Sequence, residues 1–247
     1  MPSTTRSLPN NSLHIWQIPL ASSSIYAKED FELLGKEEKK RAEAIHDSIA
    51  KQRFVRTHVA VRSILAGYLG IPVVQLRLAN TALNKPILMP DLYDRDIRFN
   101  LSHSGDQAAL AVALDIDLGI DLEQVNIKRN ILGIARRYFS EATVAAIMAQ
   151  AEPQRKLSFL LAWTQYEAYK KAQGLGLRGG DPKLTLCLDE FTENQFRPLF
   201  TEQQPCLWQV AALRVMAGWV GAVVMPQNDV SVIIDYFNYE DIGRNTL

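Results

Sequence analysis

Two long helical stretches, each halted by a glycine, are set among short apolar strands, and this alternation most constrains the fold. The first runs over about 51–69: Phe54, His58, Val61, Leu65 and Tyr68 recur at three- and four-residue steps, and Gly70 followed by Pro72 ends it. The second runs over 154–172 and ends at Gly174. A charged helix over 36–48, with Gly35 in front, precedes the first, and Ser140 reads as the N-cap of a separate helix ahead of the second. Strands are predicted over 13–18, 76–78, 98–101, 108–114 and 118–123, then over 183–188, 207–213, 219–224 and 230–234. A proline-bearing loop around Asn84-Lys85-Pro86 interrupts the first set. Each half therefore holds helices followed by strands, an α+β pattern divided into residues 1–115 and 116–247. The halves share an order of elements but no visible sequence repeat.

Composition narrows the function classes. Lysine plus arginine equals aspartate plus glutamate at 27 each, so no basic excess speaks for general nucleic-acid binding. The longest apolar stretch, 216–225, is far short of the roughly 20 residues of a membrane helix. The first eleven residues are polar and lack a signal-peptide core, so a cytoplasmic protein is expected. Cys187 and Cys206 have no metal-type spacing and are expected to be reduced thiols.

Three clusters can carry chemistry. In Gly119-Ile120-Asp121-Leu122-Glu123, strand alternation puts Asp121 and Glu123 on one face and Ile120 and Leu122 on the other. Neighbouring carboxylates repel, so the pair needs a cation or an exposed edge, and magnesium favours such oxygen ligands. In Trp163-Thr164-Gln165-Tyr166-Glu167-Ala168-Tyr169-Lys170-Lys171, Glu167 and Lys171 lie four apart and share a helical face. That pair fits either a surface ion pair or a metal ligand beside a phosphate-neutralising cation, and Trp163 reads as core. In Phe99-Asn100-Leu101-Ser102-His103-Ser104-Gly105, hydroxyl, imidazole and glycine-flanked backbone can all donate to phosphate oxygens. Ser102 and His103 are adjacent and diverge on a strand, so they form no nucleophile–base pair. Arg53, with Lys51 and Arg56 nearby, offers a local anion site, as does Lys85. Each cluster alone has an ordinary structural explanation.

In this order, Asn84-Lys85-Pro86, Phe99 to Ser104, Gly119 to Glu123, and Trp163-Thr164 through Glu167, Lys171 and Gly174-x-Gly176-Leu177 resemble the 4′-phosphopantetheinyl transferase family. The likeness is to its longer branch, which activates peptide, polyketide and fatty-acid synthases, and it runs from about Trp16 to Val224. It implies two similar α+β halves packed as a pseudo-dimer, with coenzyme A in the cleft between them. It implies that Asp121, Glu123 and Glu167 hold magnesium, that Ser102, His103 and Lys171 contact phosphate oxygens, and that Arg53 and Lys85 grip the nucleotide end of coenzyme A. Glu167 and Lys171 are the implied catalytic pair. The implied reaction moves phosphopantetheine from coenzyme A to a serine of an apo acyl or peptidyl carrier protein, releasing adenosine 3′,5′-bisphosphate; a monomer is expected.

Two positions depart from the family pattern. Tyr166 stands where lysine is common, and Asn84 where glycine precedes Lys-Pro; asparagine is the next-best residue for a positive φ. The rival readings are another magnesium-dependent phosphate-transfer enzyme, for which no Walker loop or kinase signature appears, and an inactive relative that only binds coenzyme A or carrier.

Overall fold

The computed structural model describes residues 6–21, 28–125, 131–174, 183–186, 188, 194–201, 205–228 and 231–241. Strand β1 (Ser12–Pro19) leads to short helices α1 (Lys28–Glu32) and α2 (Lys36–Ala44) and to the long helix α3 (Ser48–Leu69). Helix α3 starts three residues ahead of the periodic pattern because the Asp47 carboxylate caps it, accepting from Ala50 N at 2.7 Å. Gly70, at φ +66°, stops it. The strand predicted over 76–78 is displaced: Val73–Gln75 form a 3₁₀ turn and β2 (Leu78–Asn80) begins only at Leu78, pairing with β3 (Pro86–Leu88). A three-residue apolar run carries too little periodicity to fix its phase. Asn84 takes φ +62°, as expected of asparagine before Lys85-Pro86.

Next come β4 (Ile97–Ser104), β5 (Gln107–Leu114) and β6 (Gly119–Gln124), then helices α4 (Ile131–Tyr138), α5 (Glu141–Ala149) and α6 (Gln154–Gln173). Ser140 caps α5 by accepting from Thr143 N at 3.2 Å, and Gly174 ends α6 at φ +67°. The chain finishes with β7 (Leu184–Thr185), β8 (Arg197–Thr201), β9 (Pro205–Ala212), β10 (Trp219–Pro226) and β11 (Ile233–Asn238). Strand β8 escapes the sequence pattern because Pro198 removes a ladder donor, and the register against β9 shifts there. Gly176, Leu177, Cys187 and Val230 lie outside the described residues, and with them parts of the motif and of two predicted strands.

Apart from the small β2–β3 pair, the described strands form two sheets, ordered β11-β1-β5-β4 and β6-β10-β9-β8-β7. Alternation sorts their side chains into four layers. Trp16, Ile18, Leu110 and Val112 pack under α3, against Val61, Ile64, Leu65 and Tyr68. Leu13, Ile15, Ala109 and Ala111 turn the other way and meet Ile120, Leu122, Ala211 and Val223 of the second sheet. The far face of that sheet, including Val210, Ala222 and Val224, packs beneath α6 through Phe159, Trp163 and Tyr169. The order is helix, sheet, sheet, helix, an α+β fold. No described helix is long and apolar enough to cross a membrane.

Strand β11 returns to the first sheet and pairs parallel with β1, so the end of the chain clasps its beginning. Phe237 stacks on Trp16 at 4.7 Å between centroids, and Tyr236 Oη on the opposite face donates to Asn194 Oδ1 at 2.6 Å. Beneath this strand, Tyr68 Oη accepts from Trp16 Nε1 (2.9 Å) and shares a hydrogen bond with His14 Nδ1 (2.6 Å). His14 Nε2 lies 3.7 Å from Asp235 Oδ2 of β11. Burial pushes the Tyr68 phenol up to about 12 and the His14 imidazole below its ordinary value, the latter against the pull of Asp235 and with help from Arg6.

Gly119 fixes how closely β6 approaches α6. A Cβ there would lie 2.0 Å from Ala168 O and 2.3 Å from Ala172 N, both backbone atoms. Gly119→Ala should therefore lower stability by about 3 kcal/mol, or roughly 6–12 °C in Tm by calorimetry. An unchanged Tm would mean that the strand and helix are not in backbone contact. Because His14 titrates lower in the folded chain than in the unfolded one, its contribution is complete above the ordinary value near 6.5 and is lost as the pH falls below it. Melting curves between pH 5 and 8 should show a steeper acid loss for the native chain than for His14→Asn (range chosen about that value).

Candidate active site

Between the sheets, β4 and β6 run side by side in parallel without a backbone ladder. Their seam is closed by side chains instead: Ile120 N donates to Asn100 Oδ1 (2.9 Å), Leu122 N to Ser102 Oγ (3.2 Å) and Gln124 N to Ser104 Oγ (3.0 Å). Alternate residues of one strand thus replace the carbonyls that a neighbouring strand would offer, which satisfies donors that burial would make costly. The substitution holds the two strands apart by the length of a side chain. It also turns the intervening carboxylates of β6 toward α6.

A cavity of about 830 Å³ opens there, lined by Ser102 and His103 of β4, Asp121 and Glu123 of β6, and Glu167 and Lys171 of α6. Six of the eight residues singled out in the sequence are brought together. Lys171 Nζ donates to Asp121 Oδ1 at 2.6 Å and to Ser102 Oγ at 2.9 Å, while Ser102 Oγ itself donates to Asp121 Oδ1 at 2.8 Å. With Leu122 N also bound, the proton and both lone pairs of the Ser102 hydroxyl are used within the protein. Ser104 Oγ donates to Glu123 Oε2 at 3.0 Å. Burial, with the Lys171 ammonium next in weight, pushes His103 below its ordinary value despite the opposing pull of Asp121 and Glu123. At neutral pH it is an uncharged hydrogen-bonding group.

Arg53 and Lys85 stand apart from this lining. Arg53 pairs with Asp106 at the β4–β5 turn. Lys85 Nζ donates to Leu118 O (3.1 Å) and Lys171 O (2.9 Å), on the wall of a second pocket of about 280 Å³ shared with Arg98, Asp117 and Gly174. Burial lowers the pKa of Lys85. Helix α4 adds Ile134, Arg137 and Tyr138 to the main cavity, residues the motif reading missed; the adjacent Arg136-Arg137 pair at that helix's end was the available signal. Trp163 serves both as core and as cavity wall. Tyr166, by contrast, is 2% exposed and packs among Tyr138, Phe139 and Trp163, so it points into the core.

Among the described residues, no three His, Cys, Asp or Glu side chains stand close enough to make a ready metal cluster. Lys171 draws one Asp121 oxygen to itself, and like charges do not gather unaided. The donor set nonetheless fits a hard divalent cation. Asp121, Glu123 and Glu167 offer only oxygen ligands, and Asp121 Oδ2 is buried with no hydrogen-bond partner. A buried carboxylate oxygen in that state is costly, and a cation is its natural complement.

Known proteins resemble this chain over both of its halves. Residues 117–224 match the 4'-phosphopantetheinyl transferase superfamily, and residues 23–115 match the 4'-phosphopantetheinyl transferase N-terminal family. The chain is 31% identical to the 4'-phosphopantetheinyl transferase HetI of Nostoc sp. over 69% of its own length and 72% of the relative's. It is 30% identical to the 4'-phosphopantetheinyl transferase psf-1 of Bacillus pumilus, covering 72% and 73%. It is 27% identical to the 4'-phosphopantetheinyl transferase Sfp of Bacillus subtilis, covering 74% and 78%. This chain belongs to the 4'-phosphopantetheinyl transferase superfamily.

Proposed function

We infer that the chain is a 4′-phosphopantetheinyl transferase, which moves the phosphopantetheine arm of coenzyme A onto a serine of an apo carrier protein. The observation that carries this reading is the meeting of Ser102, His103, Asp121, Glu123, Glu167 and Lys171, from three separate elements, around one cavity in a chain whose two halves both match that family. The family boundary between 115 and 117, together with the change of sheet between β5 and β6, supports a division into residues 1–115 and 116–247, with β11 the segment that crosses back.

The reaction makes one bond and breaks one. The carrier serine oxygen attacks the β-phosphorus of coenzyme A, the bond to the adenosine bisphosphate oxygen breaks, and the serine proton must leave. Glu167, on the same cavity wall as Lys171, is the group we assign to take that proton, directly or through a water. Lys171 offsets the charge that builds on the phosphate oxygens, and neutral His103 donates a hydrogen bond to them. Ser102 orients Asp121 and Lys171 and would meet a phosphate oxygen only by exchanging one of its present partners.

Asp121, Glu123 and Glu167 would hold magnesium, which when bound supplies electrostatic stabilisation to the diphosphate. Support for that assignment is the all-oxygen donor set and the orphaned Asp121 Oδ2. Arg53 and Lys85 are proposed for the nucleotide end of coenzyme A, the first after exchanging Asp106 for a phosphate. Tyr166, where the family commonly has lysine, is buried in the core and is not part of the cavity lining, so it adds no group to the site. A cytoplasmic, monomeric enzyme acting on acyl or peptidyl carriers completes the reading, on sequence composition and family alone.

Mass spectrometry of apo-carrier proteins incubated with coenzyme A and magnesium tests the reaction. A carrier heavier by one phosphopantetheine, with adenosine 3′,5′-bisphosphate released, is expected; inorganic phosphate with no change in carrier mass would favour another phosphate-transfer reaction. Glu167→Gln should lower kcat by about 10²–10⁴-fold, the range for loss of a general base. Full turnover by that variant moves the proton-accepting role elsewhere.

A further inference from the structure

We propose that Ser104 is a positioning residue for Glu123, setting the affinity of the cavity for a divalent cation; the proposal rests on the metal reading above. The three rungs of the seam differ in what lies beside them on β6. Asn100 faces the stretch that begins with Gly119, which has no side chain, and its amide oxygen closes a rung without touching a carboxylate. Ser102 closes the next rung and donates to Asp121. Ser104 closes the last rung and donates to Glu123.

A hydroxyl has one proton and two lone pairs, and at Ser104 the geometry spends them in a fixed way. One lone pair takes Gln124 N, and the proton is aimed at Glu123 Oε2, 3.0 Å from the oxygen. The serine itself is held from behind. Trp219 Nε1 donates to Ser104 O at 3.1 Å, and the chain turns away at Gly105, whose φ of +56° favours glycine and where a Cβ would press on the Gln124 side chain. A rigid donor thus fixes one oxygen of a long, rotamer-rich side chain before any cation arrives. Partners of this kind around metal ligands are worth about 10–100-fold in affinity. Glu123 is partly exposed, which favours the lower end of that range.

The test uses the full chain with coenzyme A and without carrier, and reads Mn2+ binding by electron paramagnetic resonance alongside Tm. Ser104→Ala should weaken Mn2+ binding by about tenfold, Ser104→Thr should restore it, and Ser104→Cys, a weaker donor, should fall between. Asn100→Ala removes a rung but no carboxylate contact, so it should lower Tm and leave Mn2+ affinity unchanged. In a Glu123→Gln background, Ser104→Ala should cost no further affinity. Wild-type affinity in Ser104→Ala and Ser104→Cys, with a Tm loss like that of Asn100→Ala, overturns the proposal and leaves Ser104 a seam residue only. A native chain that transfers phosphopantetheine without binding Mn2+ at all overturns the metal reading, and this proposal with it.

Discussion

The side-chain seam between β4 and β6 is the constraint on which the rest depends. A continuous sheet would have joined these strands through their backbones and left no room for a site. Asn100, Ser102 and Ser104 accept the β6 N–H groups instead, so the donors are satisfied while the two sheets part. Each such bond contributes about 0.5–1.5 kcal/mol net, but leaving the buried N–H groups without partners would cost more than that. Two of the three acceptors are hydroxyls, and their protons go to Asp121 and Glu123. Two of the three groups that join the halves, Ser102 and Ser104, therefore also aim the carboxylates.

The opposite wall depends on the absence of a side chain. Gly119 lets β6 meet the α6 backbone, which brings Asp121 and Glu123 into one cavity with Glu167 and Lys171. Three carboxylates around one cavity are electrostatically unfavourable, and Lys171 offsets only part of that charge. The arrangement makes sense for a chain that handles a cation and a diphosphate together. As an assembly that merely stabilises a fold, it would be a poor choice, since apolar packing does the same at lower cost.

Much of this was legible in the sequence, and the gaps have physical reasons. Helix ends were readable because glycine in the left-handed region leaves a mark, at Gly70 and Gly174 alike. Alternation put Asp121 and Glu123 on one face, away from Ile120 and Leu122, as the layers show. The start of α3 was misplaced because its cap, Asp47, lies outside the apolar periodicity. Strand β8 was hidden by Pro198, and the short run at 76–78 could not be phased. The return of β11 to β1 and the entry of α4 into the cavity are contacts between distant segments, which local patterns do not encode. Ser104 was visible as a motif residue, but its bond to Glu123 needed the third dimension.

The central claim is that Asp121, Glu123 and Glu167 serve a single cation beside the diphosphate of coenzyme A. A crystal structure grown with coenzyme A and Mn2+, with the metal located by its anomalous signal, tests it most directly. The account predicts one peak in the main cavity, at direct ligand distance of about 2.1 Å from oxygens of these carboxylates and of the diphosphate. A peak bound away from β6, or coenzyme A seated in the cavity with Asp121 and Glu123 turned from its phosphates, would contradict it.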